Sequence, residues 1–213
     1  QVTVLTTAQA ASLKAVQSAM LNSAQVNALK TDALTSLTTT ALTALTVTDK
    51  LTTAQVNSLT TKQFASLTTD QIVVLTTTQV SQLGDIQAGA LTGDQLNAME
   101  VQDLSKMNTV ALQAITTAAL TTLSTGNLNQ LSSSQFSSLS LNQIAGLSTV
   151  QFAALSTVMA RSITSDQVTS IETRDLRVLS TDAVQALTTA ALATLTDTQL
   201  LSLQTSQVTN ITT

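Results

Sequence analysis

Hydrophobic positions recur along this chain with a period of eight residues. Each octad reads Ser/Thr, Thr, any residue, Gln, apolar, small, small, Leu, as in residues 60–67 and again in 68–75. The eighth position is Leu, Ile or Met in every full copy from residue 13 to residue 211. A short fixed period of this kind is typical of repeat architectures, so we predict a repeat protein.

The spacing within each octad predicts a short helix. A continuous α-helix advances about 100° per residue, so the eighth position would drift around its surface. In a strand, positions five and eight would face opposite sides of a sheet, whereas on a short helix they share one face. We therefore predict an all-α solenoid or superhelix of very short helices, one per octad. A parallel β-solenoid is the alternative, because Thr and Val favour strands.

Positions one and four carry a signal for the start of a helix. Position one is Ser or Thr in 17 of the 25 full octads, and Gln follows three residues later in most of them. Ser/Thr-x-x-Gln is a capping box, in which the hydroxyl accepts from a helix amide and the Gln side chain reaches back to the cap amide. The predicted helix-cap residues are Thr60, Gln63, Thr68, Gln71, Ser132 and Gln135.

A single octad cannot be stable by itself. Two buried apolar side chains contribute roughly 3–6 kcal/mol, whereas ordering eight residues costs on the order of 8–16 kcal/mol. The octads must therefore stack and share a core, as the repeats of a solenoid do. The predicted core residues are Leu59, Phe64, Leu67, Ile72, Leu75, Phe136, Leu139, Ile144, Leu147 and Phe152.

A longer repeat of nine octads overlies the short one within a single octad-repeat solenoid, 1–213. We place its blocks at 6–83, 84–155 and 156–213, the last one incomplete, with a six-residue irregularity at 46–51 where we expect a bulge or kink. Gln at position four becomes Ala in the same two octads of every block. This indicates either shared ancestry or a position that must be small because it faces a partner or a neighbouring coil. The nine-octad period favours three octads per turn of the coil.

The composition narrows the range of functions. The chain of 213 residues is 9% charged, has a net charge of −4, and lacks His and Cys. We therefore expect no enzyme, no cofactor and no metal site. Nucleic acid is not an expected partner, because clustered Lys and Arg are missing, and no apolar run approaches the roughly 18 residues of a membrane span. We expect the densest charged group, at residues 172–177, to be a solvated face.

Residues 5–9 and 51–55 both read Leu-Thr-Thr-Ala-Gln. This motif and its variants resemble the Leu-Thr-Thr-x-Gln short-repeat (octapeptide) regions of large exported bacterial surface and extracellular proteins. The resemblance covers essentially the whole chain. It implies a secreted or cell-surface bacterial protein, and it supplies no functional residues.

We expect the chain to assemble with itself, head-to-tail, into an extracellular or cell-surface filament. The expected assembly ends are Val2, Leu5, Val208 and Ile211, because they carry the apolar pattern that octads bury against one another. Head-to-tail contacts do not close, and they propagate as fibres. A cell-surface anchor would lie in flanking sequence. The alternatives are a non-assembling stalk or spacer of a surface adhesin, and a Thr-array surface that binds ice or carbohydrate.

Overall fold

The computed structural model describes residues 5–209 and residue 211. Within these residues the chain forms 25 α-helices of four to six residues and one 3-10 helix, with no strand among them. The predicted all-α, solenoid-like repeat of very short helices is confirmed, and the β-solenoid alternative is wrong. The chain divides into two compact units, Gln1–Ile115 and Thr116–Thr213, and each unit is described by itself.

The described part of the first unit contains thirteen α-helices and the 3-10 helix Thr48–Lys50. The α-helices are α1 (Thr7–Ala11), α2 (Ala15–Ala19), α3 (Ser23–Asn27), α4 (Thr31–Ser36), α5 (Thr39–Thr43), α6 (Thr53–Ser58), α7 (Thr61–Ser66), α8 (Thr69–Val73), α9 (Thr77–Ser81), α10 (Asp85–Gly89), α11 (Gly93–Ala98), α12 (Val101–Leu104) and α13 (Thr109–Ala114).

The second unit contains twelve α-helices within the described residues. They are α14 (Thr117–Thr121), α15 (Thr125–Leu128), α16 (Ser133–Ser138), α17 (Leu141–Ala145), α18 (Thr149–Ala153), α19 (Thr157–Arg161), α20 (Ser165–Thr169), α21 (Thr173–Val178), α22 (Thr181–Ala186), α23 (Thr189–Ala193), α24 (Asp197–Ser202) and α25 (Thr205–Thr209).

Most helices begin at a cap residue that has extended backbone angles. Thr60, with φ −68° and ψ 157°, precedes α7, and its hydroxyl accepts from the Gln63 backbone amide at 3.2 Å. In return, Gln63 Oε1 accepts from the Thr60 backbone amide at 3.1 Å. The same reciprocal pair joins Thr68 to Gln71 and Ser132 to Gln135. These contacts satisfy amides that a helix start leaves without an intrahelical partner.

Each octad turns its corner at positions eight and one. Leu67 N donates to Phe64 O at 3.2 Å and closes the last turn of α7, while Leu67 itself has φ −55° and ψ 138°. Thr68 follows with φ −72° and ψ 160°. Two consecutive extended residues therefore redirect the chain into the next helix. No described residue has a positive φ, so the corner does not depend on glycine.

Helices stack in three columns within each unit, so that a helix contacts the third helix after it. In the second unit the columns are α14–α17–α20–α23, α15–α18–α21–α24 and α16–α19–α22–α25. In the first unit, α2–α5–α7–α10–α13 and α1–α4–α6–α9–α12 form two columns, and the third contains the contacts of α3 with the 3-10 helix and of α8 with α11. Three octads therefore make one turn of each coil.

The six residues at 46–51 take the place of one octad in this stack. Thr48–Lys50 form the 3-10 helix that packs on α3, and Leu51 is buried like a residue at position eight. The stacking by threes continues past this segment. The irregularity expected as a bulge is therefore a shortened octad, two residues shorter than its neighbours.

Apolar side chains at positions five and eight fill the centre of each unit. The residues predicted from the octad pattern to lie in the core are all buried: Leu59, Phe64, Leu67, Ile72, Leu75, Phe136, Leu139, Ile144, Leu147 and Phe152. Small residues at positions six and seven let the stacked helices approach closely. At Gly89 in α10, for example, an added Cβ would lie 3.2 Å from the Ala114 carbonyl oxygen of α13.

Candidate functional site

The described residues contain no group of side chains arranged to hold a metal ion, since no three or more acidic, His or Cys side chains lie close enough together among them. No helix in the described ranges is long and apolar enough to cross a membrane. The charged cluster expected to be solvated is only partly so: Arg174 pairs with Glu172 at 3.0 Å on the surface, but Asp175 is buried. The features that could take part in binding are a row of buried glutamines, which form hydrogen bonds between turns, and the surfaces of the first and last described turns.

The glutamines at position four bind two separate parts of the coil. Gln95 is 2% exposed, and its Oε1 accepts from the Thr92 backbone amide at 2.9 Å within its own octad. Its Nε2 donates to Phe64 O at 3.1 Å and to Leu67 O at 2.8 Å, at the end of a helix four octads earlier. Short helices leave amides unpaired at their starts and carbonyls unpaired at their ends. One side-chain amide therefore satisfies both kinds of group.

The same bridge recurs in both units. It joins Gln151 to Leu123 O and Gln167 to Leu139 O, both at 2.8 Å and 28 residues apart. Across the shortened octad the offset falls to 26 residues, as between Gln63 and Leu37 O. The bridge therefore joins the same two positions of the stack each time. The number of residues between them falls when one of the intervening octads is shorter.

Only the capping half of this arrangement follows from the sequence motif. The signal for the second half is the absence of Glu from position four in all 25 full octads. Glu completes a capping box as well as Gln does. The use of Gln and never Glu indicates that the position must also donate a hydrogen bond, which a carboxylate cannot do.

Three consecutive octads of the second unit have no glutamine at position four. They carry Asp175, Ala183 and Ala191 there, and all three residues are buried. Asp175 Oδ1 accepts from Thr149 Oγ1 at 2.7 Å, but a carboxylate, unlike a glutamine amide, has no N–H to donate. The same replacement by Asp and Ala occurs 72 residues earlier, at Asp103 and at residue 111. The three residues at position four therefore donate no side-chain hydrogen bond from the turn at 172–195 to the preceding turn.

Asparagine takes over the bridging role at two places. Asn108, a cap residue, accepts from the Ala111 backbone amide at 2.8 Å through Oδ1 and donates from Nδ2 to Leu83 O at 2.9 Å. In the second unit, Asn129 Oδ1 accepts from the Ser156 backbone amide at 2.8 Å. Ser156 begins an octad whose fourth position is Met instead of Gln. An amide from another position thus restores hydrogen bonds that the local octad lacks.

The first and last described turns present different surfaces. In the first turn, Gln9 and Gln17 are exposed and Gln25 is half-buried. Their Oε1 atoms accept from the cap amides of their own helices, and their Nε2 atoms donate to no described residue. In the last turn, Leu200 and Val208 at position five are 50% and 46% exposed, whereas the other described residues at position five are buried, apart from the half-buried Leu192.

The residues expected at assembly ends are only partly open to solvent. Leu5 and Ile211 are half-buried, and Val208 is the most exposed of those that the structure describes. Val2 lies outside the described residues. Beside Val208, an open groove of about 410 Å³ is lined by Leu201 and by neighbouring residues of α24 and α25.

Two stretches of the chain, residues 49–77 and 168–205, match the family model of the ALTTAQ repeat. The prediction of a Leu-Thr-Thr-x-Gln short repeat is confirmed in these stretches. Together they cover less than half of the chain, so the match identifies the repeat unit. No curated protein and no solved structure matches the chain.

Proposed function

We propose that this chain is a structural repeat protein that self-assembles head-to-tail into an extracellular or cell-surface filament. The observation that carries the proposal is the complementarity of the two end surfaces. The first described turn presents glutamine Nε2 donors, and the last presents half-exposed apolar side chains at position five. Inside each unit, these are the two sides of the contact between consecutive turns.

The direction of these contacts supports the proposal. In the first described turn, with no described turn before it, Val26 at position five is fully buried, whereas Leu200 in the last turn is half exposed. Position five is therefore covered by the turn that follows. Position four shows the reverse, because Gln9 is exposed and Gln207 in the last turn is buried. Joining the two ends of different copies would bury both kinds of group, and such a heterologous contact propagates instead of closing.

The extracellular placement rests on two further observations. The octad resembles the Leu-Thr-Thr-x-Gln regions of exported bacterial proteins, and only 9% of the residues are charged. The proposed role is mechanical and architectural. It uses no catalytic residue, cofactor, metal or nucleic acid, and its partner is another copy of the same chain.

The test combines sedimentation velocity with negative-stain microscopy over a range of protein concentrations. We expect the natural chain to form linear assemblies that lengthen with concentration. The double variant Leu200→Asp, Val208→Asp should stay monomeric with an unchanged far-ultraviolet circular dichroism spectrum, because both side chains are already half exposed. The matched control is Val150→Asp, at a residue 70% exposed in α18, which should assemble like the natural chain.

Two results would contradict the proposal. A natural chain that remains monomeric at high concentration would leave the stalk or spacer as the better interpretation. Assemblies that persist in the double variant would show that the chain associates through a surface other than its ends.

A further inference from the structure

We infer that the turn at residues 172–195 is a built-in opening point of the second unit, a turn that unfolds locally while its neighbours stay folded. The inference concerns a single chain and does not depend on assembly. It follows from what the octads of this turn lack in comparison with the octads on either side.

The first deficit lies between turns. In bridged octads, the carbonyl oxygen at position eight accepts from a glutamine Nε2, as Leu139 O does from Gln167 at 2.8 Å. The corresponding carbonyl oxygens beneath the turn at 172–195 belong to Leu147, Leu155 and Ile163. None of these accepts a hydrogen bond from a described side chain, because position four above them is Asp or Ala. The boundary between this turn and the preceding one therefore lacks its glutamine Nε2 donors over one complete turn of the coil.

The second deficit lies within each octad. In a bridged octad the Gln Oε1 also accepts from the cap amide, as Gln167 does from the Thr164 amide at 3.0 Å. Glu172, Ser180 and Thr188 are the cap residues of α21, α22 and α23, and their octads have no glutamine at position four to make this contact. Helices of five or six residues do not persist alone in water. Each of the three therefore has weaker support at its start.

The replacement of Gln by Asp adds a buried polar atom without a hydrogen bond. Asp175 is 1% exposed; its Oδ1 accepts from Thr149, and its Oδ2 has no hydrogen-bond partner among the described residues. The closest cation is Arg174, whose Nε lies 3.6 Å from Oδ2 and whose side chain is largely exposed. A buried carboxylate oxygen without a donor favours opening of the turn, because water supplies the missing hydrogen bonds.

The arrangement recurs with the nine-octad period, since Asp103 stands 72 residues before Asp175 and is also buried. In the first unit, Asn108 restores one bridge of this kind, to Leu83 O. The arrangement in the second unit therefore has fewer of these hydrogen bonds between turns than the one in the first unit. In the proposed filament, such a turn would part first under axial load.

Hydrogen–deuterium exchange of the full chain tests the inference, at a concentration where it is monomeric. We expect amides in 172–195 to exchange about tenfold faster than those in 164–171, which corresponds to the absence of one to two net hydrogen bonds. The variant Gln167→Ala should bring 164–171 to the rate of 172–195. The matched control Gln130→Ala, at an exposed glutamine of the same unit, should leave the exchange of 124–131 unchanged.

Equal protection of 164–171 and 172–195 in the natural chain would overturn the inference. It would also be overturned if Gln167→Ala left the exchange of 164–171 unaltered, because glutamine hydrogen bonds would then not set local stability. Neither result bears on filament formation, which is measured separately by sedimentation.

Discussion

A Gln95→Ala substitution tests the glutamine bridge most directly, because it removes both ends of one buried bridge. The change deletes the hydrogen bond of Oε1 with the Thr92 amide and those of Nε2 with Phe64 O and Leu67 O. Gln95 is buried, so water cannot easily replace these partners in the folded state.

The magnitude follows from the hydrogen bonds that the substitution removes. A hydrogen bond contributes about 0.5–1.5 kcal/mol net, and a buried group left unsatisfied costs about 1–3 kcal/mol. With one cap hydrogen bond and two carbonyl hydrogen bonds deleted, the free energy of unfolding should fall by about 2–4 kcal/mol. Gln95→Glu should be at least as destabilising, because a carboxylate keeps the cap hydrogen bond but faces carbonyl oxygens without a hydrogen to donate.

The matched control is Gln9→Ala at the same octad position. Gln9 accepts from the Thr6 amide at 2.9 Å but is exposed and bridges to no described residue. Its replacement should cost only about 0.5–1 kcal/mol, the value of a cap hydrogen bond. Urea unfolding of the two variants, followed by circular dichroism, measures the difference. Equal destabilisation by Gln9→Ala and Gln95→Ala would refute the argument that the bridge contributes to stability.

Three further substitutions test the core, the caps and the close packing. Leu139→Ala should lower the free energy of unfolding by about 2–5 kcal/mol. The control Leu141→Ala, at an exposed residue, should change it by less than about 0.5 kcal/mol. Similar melting temperatures of the two variants would contradict the assignment of position eight to the core. Thr68→Ala removes the hydroxyl that caps α8 and should cost about 0.5–2 kcal/mol by urea unfolding, and an unchanged midpoint would show that the cap has no energetic role. Gly146→Ala places a Cβ against Thr117 Cγ2 and should destabilise by about 1–3 kcal/mol. Adding Thr117→Ser, which removes that methyl group, should recover most of the stability in thermal unfolding, and no recovery would contradict the steric explanation.

The parts of the fold that could be predicted are those fixed within one octad. Thr60 and Gln63 are three residues apart, and helix geometry alone brings their capping groups together. The same holds for Phe64 and Leu67, whose spacing places both on one helix face. The need for stacking also followed, since eight residues cannot bury enough apolar area to fold alone.

The second role of glutamine could not be predicted in the same way. The partner of Gln95 Nε2 lies 28 residues earlier, at Leu67 O, and this pairing exists only because three octads make one turn. For the same reason the burial of Asp175 differs from the solvated face that its charged neighbours suggested. A charged cluster in sequence becomes one surface ion pair and one buried carboxylate once the turns are stacked.

The sequence by itself determined the unit of this protein: a capped helix of one to two turns with two apolar side chains on one face. It did so because those contacts span three or four residues, and helix geometry sets such distances. Tertiary structure alone decided which groups meet between turns, that position four is covered by the preceding turn, and that position five is covered by the following one. These depend on the angles at the corners between octads, where small differences in φ and ψ add up over three corners and fix which carbonyl each glutamine reaches.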